Sequence, residues 1–136
     1  MDQNETTPVT GKILVVDDVP ALRRLVGDML KEKGHQVASA GSGEEALALA
    51  RSKPFDLIML DITMPDMDGY EVCRRLKQDE RTSAIPVIFI SALGETFEKV
   101  RAFSVGGIDF ITKPFQVEEV LARVQNHLPI AVLNKI

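Results

Sequence analysis

Five strand-like segments alternate with five helix-like ones along this chain, and that alternation leaves few folds open. Four of the strand signals are nearly continuous apolar runs: Lys12-Ile13-Leu14-Val15-Val16, Leu57-Ile58-Met59-Leu60 (beginning at about residue 56), Val87-Ile88-Phe89-Ile90, and residues 108–112. The fifth, residues 35–40, is weaker. Continuous runs mark strands buried on both faces, as in a parallel sheet covered by helices. Between them the spacing turns helical. Leu22, Leu25, Val26, Met29 and Leu30 fall at i, i+3, i+4, i+7 and i+8 of a helix over about residues 21–33. Ser42 with Glu45, and Asp68 with Glu71, form capping boxes that open the second helix and a third reaching about residue 78. The fourth helix is expected over about residues 96–105, with Phe97, Val100 and Phe103 on its inner side. The last carries Val117, Val120, Leu121, Val124 and Leu128. Gly34 stops the first helix as a C-cap glycine, Lys53-Pro54 ends the second, and Gly106-Gly107 breaks the fourth. Short connections between alternating elements indicate a doubly wound α/β fold.

Charged residues follow three of the runs. Asp17-Asp18 closes the first strand, Asp61 the third and Lys113 the fifth, while Ser91 ends the fourth. Singly, each has an ordinary explanation: Asp18 before Val19-Pro20 can cap a helix, and a Lys-Pro step is usually a surface turn. Together they meet, because the ligand site of an open parallel α/β sheet lies outside the carboxyl ends of its strands. Three crowded carboxylates repel, by about 4 kcal/mol per pair at roughly 4 Å and an effective dielectric near 20. Such a cluster calls for a hard cation with oxygen ligands, Mg²⁺ first among them, and Mg²⁺ usually completes its shell with phosphate oxygens. Lys113 would neutralise further phosphoryl charge, the Ser91 hydroxyl can donate to a phosphoryl oxygen, and small Ala92 leaves room for a donor. A carboxylate held there can itself be the nucleophile and become an aspartyl phosphate.

The bulk properties exclude other classes. The 136 residues are expected to form one domain that buries roughly two-thirds of its unfolded surface. No apolar run approaches the roughly 18 residues of a membrane span, so no membrane partner is expected. Residues 1–10 are polar and acidic, a tail without the charged-then-apolar pattern of a secretory signal. The single cysteine, Cys73, excludes an internal disulfide and fits a cytoplasmic location; beside Val72 and Leu76 it is expected as buried filler. A net charge of −4 argues against direct nucleic-acid binding by this domain.

Four segments together resemble the signature set of response-regulator receiver domains: Ile13 to Asp18, Met59 to Gly69, Ile90-Ser91-Ala92, and Phe110-Ile111-Thr112-Lys113-Pro114-Phe115. The likeness covers about residues 11–128, the expected receiver unit, and includes every characteristic motif in order. It implies a flavodoxin-like fold of the CheY type with strand order 2-1-3-4-5. It also implies phosphorylation of Asp61 by a sensor histidine kinase or phosphotransfer protein, with slow self-dephosphorylation and no other enzymatic turnover. By position, Asp18 would ligate Mg²⁺ directly, Asp17 mainly through water, Asp61 as ligand and phosphoacceptor, and Thr63 through its main-chain carbonyl. Ser91, Ala92 and Lys113 would surround the phosphoryl group, and the Lys113-Pro114 bond would be cis. Pro65 and Gly69 would shape the loop after Asp61.

The resemblance further implies that Ser91 couples to an aromatic on strand five, here Phe110, and so biases the surface of helix 4, strand 5 and helix 5. Phe110 is equally readable as a plain core residue. Lys99 with Glu119, and Asp109 with Arg123, match two charge pairs by which DNA-binding relatives form homodimers; the alternative is an intrahelical Glu119–Arg123 pair. His35 and His127 are expected at the solvated surface. Residues 129–136 are apolar for a chain end, a tail that packs on a neighbour or the start of a linker to an output module. The downstream effector is not readable.

Three rival functions are weighed on the same residues. A phosphohydrolase of the haloacid-dehalogenase-like class wants a second acid two residues after its nucleophile, after the first strand; here that residue is Thr63, after the third. A flavodoxin wants a Ser/Thr/Gly-rich phosphate loop where this chain has Asp17-Asp18-Val19-Pro20. A docking module independent of phosphorylation remains as the alternative, and a complete set of site residues argues against it.

Overall fold

A computed structural model of the chain describes residues 9–92 and 96–133. Five parallel strands, β1 (Lys12–Val16), β2 (Gln36–Ala40), β3 (Leu57–Leu60), β4 (Val87–Ser91) and β5 (Asp109–Thr112), lie in the order β2-β1-β3-β4-β5. Five helices alternate with them: α1 (Pro20–Glu32), α2 (Gly43–Ser52), α3 (Gly69–Gln78), α4 (Thr96–Ser104) and α5 (Val117–Leu133). This is the doubly wound sheet that the alternation implied, in the flavodoxin-like order that the resemblance implied, and its strand order reverses between β1 and β3.

The continuous apolar runs follow from burial on two sides. Successive strand side chains point to opposite faces, so Leu14, Val16, Ile58, Leu60, Val87 and Phe89 pack with residues of α2 and α3, such as Leu47, Val72 and Leu76. Their neighbours Ile13, Val15, Leu57, Met59, Ile88 and Ile90 pack with Val26 and Leu30 of α1 and with Val120, Val124 and Leu128 of α5. Each buried Val, Leu or Ile contributes about 1.5–3 kcal/mol.

The helix ends follow their capping residues. Ser42 accepts from the Glu45 N–H at 3.2 Å, and Asp68 accepts from the Glu71 N–H at 2.9 Å. Gly34, after the C-cap Lys33, has φ of +93°, a conformation other residues adopt only under strain. α1 is opened by Val19 with no side-chain cap, and Pro20 stands at its first position. Asp18 is thereby released from the capping role that a lone acid would have had.

Four expectations are corrected. Leu25 is half-exposed rather than buried on α1. On α4, Val100 and Phe103 face solvent, and Ala102 is the fully buried residue; the side chain of Phe97 lies outside the described residues. The C-terminal end of α4 sits against the sheet, with the Gly107 N–H donating to the Ala102 carbonyl at 3.0 Å. A Cβ at Gly107 would come within 2.6 Å of the Phe89 ring and 2.9 Å of the Ala102 carbonyl oxygen, so the turn after α4 closes over glycine. His35 is 5% exposed, and its Nδ1 accepts from the Gly11 N–H at 3.3 Å. Finally, α5 does not stop before Pro129 but continues to Leu133. Pro129 forfeits one intrahelical hydrogen bond, yet Val132 beyond it still packs on the core shared by α1 and α5. Residues 1–8 and 134–136 of the two expected tails lie outside the described residues. Among the described residues, no helix is long and apolar enough to cross a membrane.

Candidate functional site

Backbone hydrogen bonds carry the sheet ladder one residue past the strands and fix the charged residues at its carboxyl edge. Asp61 donates its N–H to the Val16 carbonyl at 2.9 Å, Lys113 to the Ser91 carbonyl at 2.8 Å, and Asp17 to the Ala40 carbonyl at 3.2 Å. Four strands thus deliver Asp17, Asp61, Ser91 and Lys113 to one place.

Asp17, Asp18 and Asp61 each offer a carboxylate oxygen, and these atoms lie within 4.8 Å of one another. Asp17 and Asp61 are buried and Asp18 is the most exposed of the three. Lys113 Nζ lies 3.0 Å from Asp17 Oδ2 and 3.4 Å from Asp61 Oδ2. The other Asp17 oxygen accepts from the Val19 N–H at 2.9 Å, and Asp61 Oδ1 accepts from the Thr63 N–H at 3.4 Å. Burial pushes the Asp61 carboxyl above its ordinary range, the Asp17 charge pushes the same way, and Lys113 and the Thr63 N–H only partly offset them. Three hard carboxylate oxygen donors this close together suit a divalent cation such as Mg²⁺.

The surroundings hold this cluster in place. The Gly69 N–H donates to the Ile62 carbonyl at 2.8 Å, and a Cβ at Gly69 would lie 2.2 Å from the Asp61 carbonyl oxygen, so the loop after Asp61 closes only over glycine. Asp66 in that loop has φ of +70°. The Lys113–Pro114 peptide bond is cis. Ser91 is fully buried, whereas Ala92 and Thr63 are exposed at the rim. Sequence reasoning passed over Arg23, which donates to the Asp17 carbonyl at 2.7 Å; a cation early in a polar helix face carries no distinguishing signal.

Phe110 is 7% exposed, with Phe89 on one side and Lys99 Nζ 5.9 Å from its ring centroid. Of the charges expected between two copies, Asp109, Glu119 and Arg123 are engaged within one. Asp109 faces Arg123 at 3.5 Å and His127 at 2.9 Å, and Arg123 also lies 3.9 Å from Glu119 along α5. Cys73 is fully buried, and burial raises its thiol to about 11, in keeping with a filler role.

A family model described as the response regulator receiver domain matches residues 13–125. The chain belongs to that family, the receiver domains of two-component signalling, which is not a family of classical enzymes. It is 47% identical over 114 residues to the DNA-binding dual master transcriptional regulator RpaA of Synechocystis sp., covering 84% of this chain and 47% of that protein. It is 41% identical over 125 residues to the transcriptional regulatory protein ResD of Bacillus subtilis, covering 92% of this chain and 49% of that one. The chain thus spans about half the length of the curated relatives it matches. Among solved structures, the chemotaxis protein CheY4 of Vibrio cholerae superposes with a TM-score of 0.84 at 31% identity, over 88% of this chain and all of that one. The BeF3-activated DrrB receiver domain superposes at 0.79 and 32% identity, over 89% of this chain and 99% of its own.

Proposed function

We propose that this receiver accepts a phosphoryl group on Asp61 from a phosphohistidine of a sensor kinase or phosphotransfer protein. The observation that carries the reading is the buried Asp61 carboxylate brought together with Asp17, Asp18 and Lys113 at the carboxyl edge of the sheet. A carboxylate oxygen of Asp61 forms the new bond to phosphorus as the bond from phosphorus to the imidazole nitrogen breaks. Asp18, Asp17, Asp61 and the Thr63 carbonyl would hold Mg²⁺, which when bound offsets the charge of the carboxylates and of the phosphoryl oxygens. Lys113 neutralises one phosphoryl oxygen, and the Ser91 hydroxyl donates to another. Ala92 at the rim leaves access for the donor and for the water that later hydrolyses the acyl phosphate.

The signal would leave through Phe110 and the surface of α4, β5 and α5. Val100 and Phe103, 62% and 50% exposed, give that surface an apolar patch for a downstream partner or a second copy, with Lys99, Asp109, Glu119 and Arg123 around it. Similarity to transcriptional regulators supports a cytoplasmic role in gene control, with the output module joined beyond α5. The test is intact mass after incubation with acetyl phosphate, with and without Mg²⁺, for wild type and Asp61→Asn. A Mg²⁺-dependent adduct absent from the variant is expected. No adduct from acetyl phosphate or from a phosphorylated histidine kinase would leave the docking module as the better reading. Sedimentation with beryllofluoride tests the second copy, and an unchanged monomer at high concentration would exclude it.

A further inference from the structure

Few apolar contacts hold α4. Among its described side chains only Ala102 is fully buried. The grip comes instead from Tyr70, in the first turn of α3. Its hydroxyl donates to the Glu98 carboxylate, and the same oxygen lies 3.2 Å from the Glu98 main-chain carbonyl. The Arg101 guanidinium lies 4.2 Å from the centroid of the Tyr70 ring. Residues three apart share a helix face, so Glu98 and Arg101 hold one phenol between them, at its oxygen and over its ring. Burial first, and then the Glu98 hydrogen bond, push the Tyr70 hydroxyl well above its ordinary range, so the proton stays in place for donation.

Tyr70 is tied in two further directions. It follows Gly69, which is pressed against the Asp61 carbonyl and bonded to Ile62. Its ring packs against Phe89 at 5.8 Å between centroids, and Phe89 packs against Phe110 at 6.5 Å. Lys99 of α4 lies over the far end of that row. α4 thus touches an aromatic row at both ends, and one end begins at the loop that carries Asp61.

We propose that Tyr70 is a positioning residue that latches α4 through Glu98 and Arg101, linking the Asp61 loop to the α4–β5 surface by a route that does not pass through Ser91. The proposal rests on the reading of Asp61 as phosphoacceptor. The latch is closed in the same arrangement that buries Phe110, so a phosphoryl group that favours the buried ring also favours the closed latch.

Tyr70 is the one tyrosine of a chain without tryptophan, so tyrosine emission reports on this ring alone. A phenol hydrogen-bonded to a carboxylate emits weakly. The whole chain is titrated with beryllofluoride in Mg²⁺ as wild type, Tyr70→Phe, Glu98→Ala and the double variant, with calorimetry for binding and emission for the latch. Wild-type emission should fall toward saturation, while Glu98→Ala should start brighter and stay so. Each single variant should need up to about tenfold more beryllofluoride for half-saturation, the loss of one charge-assisted hydrogen bond, and the double variant no more than either single one. Unchanged wild-type emission at calorimetric saturation, or additive losses in the double variant, would overturn the latch alone. A wild type that binds no beryllofluoride would overturn the phosphoacceptor reading and the latch with it.

Discussion

Lys113 Nζ sits 3.0 Å from Asp17 and 3.4 Å from Asp61, so one ammonium bridges two carboxylates that repel each other. The same ammonium competes with any cation for those oxygens. Lys113→Met, which keeps the bulk and removes the charge, should therefore bind Mg²⁺ about tenfold more tightly than wild type, as removal of a nearby like charge requires. Calorimetric titration measures this directly. Equal or weaker binding would mean that Lys113 does not oppose the metal.

Gly69 should tolerate no side chain. A Cβ added there would meet main chain, the Asp61 carbonyl, which no rotamer change can relieve. Gly69→Ala should lower stability by about 3 kcal/mol, at the upper end of overpacking costs, and should slow phosphoryl acceptance because the same loop carries Asp61. Urea unfolding and the rate of adduct formation would show both; a variant of wild-type stability would refute the close approach.

His35 gives the chain an acid-sensitive point far from the site. Burial lowers its pKa, and its Nδ1 accepts a hydrogen bond that the imidazolium form cannot accept. The native state then binds fewer protons than the unfolded state below the ordinary histidine range, so stability rises with pH there. It is complete above the unfolded value and is lost as pH falls through the lowered native value. His35→Asn, whose side-chain oxygen can take the Gly11 N–H, should flatten the pH dependence of urea unfolding in that window. An unaltered slope would exclude His35 as its source.

The sheet was legible because it is covered on both faces: Ile13 and Leu14 go to different cores, yet both must be apolar. The site was legible because acids and a lysine stood at the ends of such strands, where nothing in the core explains them. The faces of the peripheral helices were less so. Val100 and Phe103 have helical spacing, yet the inward position of α4 among its described side chains is taken by Ala102. His35 carries no periodicity, since its burial depends on Gly11, which is distant in sequence. Pro129 suggests a helix end, but packing of Val132 outweighs one missing hydrogen bond. The charges of Asp109 and Arg123 suited a contact between copies, and the sequence could not show that they also meet within one chain.

The most direct test of the central claim locates the phosphoryl group. The chain is phosphorylated in Mg²⁺, reduced with borohydride, which converts an aspartyl phosphate to homoserine, and mapped by peptide mass spectrometry. The account predicts homoserine at position 61 alone, dependent on Mg²⁺ and on the donor. Homoserine at Asp17 or Asp18 instead, or a phosphoryl group on a hydroxyl residue that borohydride leaves intact, would contradict it.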